Sequence, residues 1–267
     1  MPSVPLTVKL RAEYELLFNT CIIRPERVGD VDRLVASLIL NRGRYSAVEQ
    51  ALSVPWYFVA VVHNMEASLR FTGHLHNGDP LTARTKNIPK GRPKTGKPPF
   101  TWEESARDAL KMHGLGADTD WSLAGTLYQL ERYNGWGYRL YHPHVLTPYL
   151  WSFSSHYTSG KYTSDGSWSD IAVSKQCGAA VLLRRMAENR QIEFPDQPPP
   201  PAVGTPVVVR YATKRSTNSA EAQAALDLQR WLNTFPGVFV KVDGIPGRRT
   251  SDAYRAVTGK RLPGDPR

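Results

Sequence analysis

Glu66 lies near the end of the stretch Ser53–Phe71, SVPWYFVAVVHNMEASLRF, three residues after His63, four after Val62 and seven after Val59. That spacing sets a carboxyl above aliphatic neighbours on one helical face. Partial burial disfavours the ionised form, so such a carboxyl holds its proton toward neutral pH, as a general acid must. Taken alone, the residue also fits an ordinary surface glutamate near a helix end. Asp79 follows in Asn77-Gly78-Asp79, and Thr82 and Thr85 come next in an extended run, so polar groups face the helix end across a cleft. Glycosidic cleavage needs an acid for the leaving oxygen, plus a carboxylate, an oriented water or the sugar's own hydroxyl to capture the oxocarbenium-like centre. Glu66 and Asp79 could fill these roles, although Asp79 before Pro80 equally fits an Asx turn.

His63, His74 and His76 stand close to Glu66 and raise the question of zinc. There is no HExxH and no nearby cysteine, so orientation of loops by hydrogen bonds is expected, with no metal and no cofactor. Cys21 and Cys177 are too few for a disulfide framework; two buried thiols are expected, with a single bridge between them as the alternative.

The elements that must hold these groups are mostly helices. Apolar spacing predicts helices over 8–20, with Leu10, Tyr14 and Leu17 on one face, and over 28–40, with Val31, Leu34, Val35 and Leu38. Ser53 as N-cap and Pro55 in the first turn start a helix that is apolar on every side through Val62 and so belongs in the core. Residues 73–99 read as loops with a short hairpin beside the cleft, and helical patterns return at 102–114, 121–133 and 170–190. Four prolines, Pro198 to Pro201, mark a linker. The chain therefore divides into a large unit, 1–193, a linker, 194–219, and a small unit, 220–267.

The chain has 267 residues, 41% of them hydrophobic, and carries a net charge of +10. Disorder is excluded as the dominant state, and an anionic polymer or surface is the expected partner: nucleic acid, membrane lipid or cell wall. The excess divides evenly, +5 in residues 196–267 and +5 in 1–195, so the small unit is the more basic per residue. Six basic residues and no acidic one lie between Pro80 and Trp102, namely Arg84, Lys86, Lys90, Arg92, Lys94 and Lys97, and would give the cleft a positive lip. No helix-turn-helix, zinc-finger or RNP-like context accompanies them, so nucleic acid is not expected. No window approaches a membrane span and no signal peptide precedes the first helix, so neither membrane insertion nor a secretory leader is expected.

PWYFVAVVHNMEASLRF followed by HLHNGDPLTARTKNIPKGRP resembles the lysozyme superfamily, and within it bacterial and phage peptidoglycan hydrolases related to soluble lytic transglycosylases, over most of residues 10–190. In the phage-type pattern a catalytic Glu, Asp and Thr follow one another. Asp79 and Thr85 reproduce the Asp–Thr interval, whereas the twelve residues between Glu66 and Asp79 exceed the pattern's spacing. Tyr133-Asn134-Gly135 is similar to the Tyr-Asn-Ala-Gly element of lytic transglycosylases, which implies Tyr133 against the catalytic Glu and Asn134 on an N-acetyl group or the local backbone. Tyr138, His156 and Tyr162 are the expected sugar-contacting residues beside them, with Thr82 on the facing loop.

Residues 225–262 resemble the small three-helix peptidoglycan-binding domain: Leu228, Gln229, Leu232 and Asn233, then Val242, Asp243, Gly244, Gly247 and Thr250 match its hallmark. Asp243 and Gly244 would set a tight turn, and Thr250 would cap the following helix.

The resemblance implies a mainly α, lysozyme-like α+β catalytic domain with a wall-binding module. The expected activity is cleavage of the β-1,4 bond between N-acetylmuramic acid and N-acetylglucosamine in peptidoglycan. Lytic transglycosylation, which leaves 1,6-anhydro ends, or a non-catalytic wall-binding protein are the rival expectations. A phage or prophage endolysin would act as a monomer, accumulating in the host cytoplasm before release to the wall.

Overall fold

The computed structural model describes residues 4–164, 166–196, 209–233, 235 and 238–267. The Pro198–Pro201 linker expectation lies outside the described residues. The first unit is mainly helical: α1 (Val8–Thr20), α2 (Val28–Leu40), α3 (Arg42–Leu52), α4 (Trp56–Ala67), α5 (Trp102–Met112), α6 (Leu123–Asn134), α7 (Gly137–Tyr141), α8 (Pro148–Trp151) and α9 (Ala179–Glu188), with β1 (Lys161–Ser164) and β2 (Ser167–Ser169) before α9.

Two of these helices keep the bounds that apolar spacing predicts. In α1, Leu10, Tyr14 and Phe18 recur every fourth residue and are buried, and the Thr7 side chain accepts from the Leu10 amide as N-cap. In α2, Val31, Val35 and Leu38 turn inward. The helix α4 is buried continuously from Trp56 to Asn64 because α2, α3, α6 and α9 pack around it.

Ser53 does not start α4. It ends α3, a helix that apolar spacing does not reveal because Tyr45 and Val48 are its sole buried side chains. Ser53 sits in the left-handed region at φ 57°, its amide bonded to the Glu49 carbonyl, and Pro55 takes the N-cap position of α4. Likewise α9 occupies the second half of the predicted 170–190 stretch, since Ile171 and Val173 are exposed.

The strands lie elsewhere than expected. Residues 73–99 have one isolated bridge, Gly73 to Pro80, and the antiparallel hairpin is β1–β2, which pairs Tyr162 with Trp168. Aromatic stacking holds it: Trp168 lies flat on His142, with ring centroids 3.4 Å apart, and edge-on to Tyr138.

The large unit extends past residue 193. Phe194 is buried edge-to-face against Phe18 and Tyr57, and Asp196 accepts from the Leu123 amide at 2.8 Å. The small unit reaches back before residue 220, with Val209 and Tyr211 packed on a core of Leu228, Leu232, Val238, Val240, Tyr254 and Leu262. It has two helices among the described residues, α10 (Ser219–Leu232) and α11 (Arg248–Thr258), where the resemblance implies three.

Phe239 leaves that small core and enters the large one. It packs edge-on to Phe18 at 5.1 Å, and its carbonyl accepts from buried Arg184, which Glu188 neutralises at 3.0 Å. Phe239 and Arg184 thus bridge the two units, and Arg249 reaches the same Glu188 at 3.7 Å. No helix among the described residues is long and apolar enough to cross a membrane.

Candidate active site

Glu66 is held in the last turn of α4, above the fully buried Val59 and Val62. The residue as a whole is half-buried, and Oε1 accepts from the Tyr149 hydroxyl at 3.1 Å. Burial pushes the carboxyl up from 4.5 to about 7, with the Tyr149 hydrogen bond pulling the other way. The proton is therefore retained near neutrality, as the aliphatic spacing predicts.

Two phenols crowd this carboxyl. Tyr149 comes from α8, whose Thr147 cap accepts from the Tyr149 amide. Tyr133, at the end of α6, stacks on His113 with centroids 3.9 Å apart, and its buried hydroxyl has no hydrogen-bond partner among the described residues. Burial and then the Glu66 charge push both phenols well above their usual range, so both stay neutral donors. His113 is also neutral: burial, helped by Arg132, lowers its imidazole to about 4.

A buried ion pair fixes the turn after α6. Arg139 donates from Nε and Nη2 to the two Glu131 oxygens at 3.0 and 2.8 Å, and Tyr14 donates to the same carboxylate at 2.5 Å. Gly135 between them takes φ 95°, a conformation that a side chain would strain. This clamp carries the exposed Asn134 to a cavity of about 290 Å³, lined also by Met65, Tyr138, Tyr149, Tyr162 and Gln176, to which Glu66 is linked through its bond from Tyr149. A second cavity of about 610 Å³ shares Asn134 and Tyr162 and adds Trp136, Leu140 and Tyr141. Of the predicted residues, Asn134, Tyr138 and Tyr162 thus line the first cavity, while Tyr133 lies beside Glu66 and outside that lining.

Tyr149, Gln176 and His113 are missing from the residues singled out in the sequence. Gln176 donates to the Asn64 and Met65 carbonyls at 3.2 and 2.9 Å, satisfying acceptors that a helix end leaves open. These groups lie 47 to 110 positions from Glu66, and no local spacing links them to it.

Other predicted residues serve elsewhere. Asp79 accepts from the Lys86 and Asn87 amides at 2.8 and 2.9 Å, from the Asn87 side chain at 2.7 Å and from Asn77 at 3.1 Å. These donors, the Asn87 amide first, hold its carboxyl below the usual range and make it the hub of the 77–88 loop. Thr85 is not available for catalysis: it is buried, donates to the Pro89 carbonyl and accepts from the Arg92 amide at 3.0 Å. Thr82 is exposed on that loop and lines neither cavity. His156 is not a sugar contact either, because Nε2 bonds the Leu17 carbonyl at 2.8 Å and its ring meets Trp151 edge-on, tying this segment to α1.

Two of the three histidines hold the 73–99 loop, as expected, whereas His63 ties helix α4 to α3. His63 meets the Tyr45 hydroxyl at 3.1 Å, His74 bridges Ser105 and the Ala83 carbonyl, and His76 meets Asp108 at 2.8 Å. Of the six basic loop residues, Arg92 pairs with Asp108 and Arg84 donates to the Gly96 carbonyl; Lys86, Lys90, Lys94 and Lys97 are exposed, and none of the six lines either cavity. Cys21 and Cys177 are free, buried thiols, as expected.

In the small unit, buried Gln229 organises the motif. Its Oε1 accepts from the Asp243 and Gly244 amides at 2.9 and 2.8 Å, and its Nε2 donates to Asp243 Oδ1 and the Ile245 carbonyl. Gly244 takes φ 73°, the left-handed turn expected of it. Thr250 does not cap α11. Gly247 is the N-cap, and Thr250 sits in the first turn with its hydroxyl donating to the Ile245 carbonyl at 3.3 Å. Compared with known proteins, the chain matches no family model, no curated protein and no solved structure.

Proposed function

We propose that this protein is a peptidoglycan glycosidase: a lysozyme-like unit cleaves the β-1,4 bond between N-acetylmuramic acid and N-acetylglucosamine, and the C-terminal unit holds it to the wall. The observation that carries this reading is Glu66, a carboxyl pushed up to about 7 by burial, whose hydrogen-bond partner Tyr149 lines an aromatic, amide-bearing cavity. Protonated Glu66 gives its proton to the glycosidic oxygen as the C1–O bond breaks and the electron pair passes to that oxygen. A water then adds to C1 and returns a proton to Glu66. Tyr149 orients the acid, Tyr133 supplies a neutral donor beside it, and Asn134, Tyr138 and Tyr162 receive the sugars.

A second reading is supported by Asp79. Four donors commit its carboxylate to the 77–88 loop, so it is a poor candidate to capture the anomeric centre. The muramoyl 6-hydroxyl would then attack in place of water, leaving 1,6-anhydro ends as in lytic transglycosylases. Asp243, Gly244 and Thr250 shape the turn of the small unit, and wall contact falls to the basic residues around them, Lys241, Arg248 and Arg249. By resemblance, the protein acts as a monomeric endolysin that accumulates in a host cytoplasm until it is released to the wall.

Turbidity clearing of purified sacculi tests the reading. The wild type clears and Glu66→Gln slows clearing by about 100-fold or more, the usual contribution of a general acid. Equal rates would remove Glu66 from the mechanism.

A further inference from the structure

On the other side of the α4 end from the catalytic cavity lies a second concavity of about 450 Å³, between α2, Ser68-Leu69 and the Phe153 and Lys175–Cys177 segments. Gln176 lines both cavities, so they adjoin across the carbonyls it caps.

Two independent features mark it. The first is charge. Arg27, Arg33 and Lys175 line the cavity against one carboxylate, Asp30, which bonds both arginines. One acid shared by two guanidiniums, with Lys175 in no ion pair among the described residues, leaves a net surplus of two positive charges facing the concavity. The second is a fixed wall next to the proposed acid. Ser68 (φ 48°) and Leu69 (φ 61°) close α4 as Ser53 closes α3, their amides returning to the His63 carbonyl, and with Phe153 (φ 75°) they line this cavity. Ser68 and Leu69 directly follow the turn that carries Glu66, so this wall continues from it.

We propose that this cavity is a subsite for an acidic peptide substituent of the glycan, its carboxylates received by Arg33 and Lys175, with Arg27 held over the Phe153 ring at 4.6 Å. The proposal rests on the glycosidase reading and extends it: the substrate is glycan that still bears its acidic peptides. A sugar face alone does not explain the cationic surplus.

Calorimetric binding of a muramoyl tripeptide with free carboxylates, against the same compound with amidated carboxylates, tests it directly. The wild type binds the free acid about tenfold more tightly, as two charge-assisted contacts allow. Arg33→Gln/Lys175→Gln, both exposed and outside the core, loses that preference and still binds the amidated compound as the wild type does. Equal wild-type affinity for the two compounds, or an unchanged preference in the double variant, overturns the proposal. Failure of the wild type to clear sacculi is a separate result: it removes the glycosidase reading, while the binding preference still decides whether the cavity takes acidic peptides.

Discussion

Replacing Glu66 with Gln should stabilise the folded protein above neutral pH while removing the proposed acid. The folded carboxyl keeps its proton up to about pH 7, whereas in the unfolded chain it ionises near 4.5. Between those values the folded state binds a proton that the unfolded state has released, so stability falls as pH rises through the window. The gap corresponds to about 3 kcal/mol, fully expressed above pH 7 and absent below 4.5. Glutamine keeps the shape and can accept from Tyr149, but has no charge to bury. Urea unfolding at pH 4 and pH 8.5 gives the stability difference between variant and wild type at each pH. That difference should move in the variant's favour by roughly 2 to 3 kcal/mol from acid to alkaline pH. His63 and His113, both lowered to about 4 by burial, pull total stability the opposite way, since they add stability as pH rises toward 6.5. They are common to both proteins and cancel in the comparison. A difference that does not change with pH would refute the burial of an ionisable Glu66, and with it the case for a neutral acid.

Three further changes probe the parts separately. Tyr149→Phe removes the hydrogen bond that lowers the Glu66 pKa, so the alkaline limb of the clearing profile moves to higher pH; an unmoved limb would dissociate the pair. Asp79→Ala frees the 86–87 turn and costs about 1 kcal/mol by thermal unfolding, with clearing reduced far less than in Glu66→Gln; equal losses would restore Asp79 to the chemistry. Phe239→Ala empties the socket between Phe18 and Arg184, costs about 3 kcal/mol and lets the small unit separate, seen as an increased radius of gyration in X-ray scattering. An unchanged radius would mean that other contacts hold the units together.

What the sequence discloses here follows the range of the interaction that decides it. The bounds of α1 and α2, the buried α4 and the desolvation of Glu66 all depend on apolar spacing within a few turns, and each can be seen in the chain. Ser53 misleads because a serine beside Pro-Trp looks like a cap, whereas the left-handed end of α3 claims it. The Thr85 hydroxyl is consumed by its own loop, and His156 by the Leu17 carbonyl 139 positions away. Tyr149 and Gln176 reach the α4 end only through tertiary packing, and the Arg139–Glu131 clamp is disguised as a solvated pair on two helices. The resemblance in the 225–262 motif is likewise local, but its hub, Gln229, acquires meaning only when the 243–250 turn folds back onto it.

Mass spectrometry of the material released from purified sacculi decides whether Glu66 drives cleavage of the glycan at the muramoyl bond. The wild type should release disaccharide-peptide fragments cut at the N-acetylmuramic acid C1 and Glu66→Gln none at comparable rate, with reducing ends for water attack and 1,6-anhydro ends for capture by the sugar. Release of peptides alone, or the same fragments at the same rate from Glu66→Gln, would contradict it.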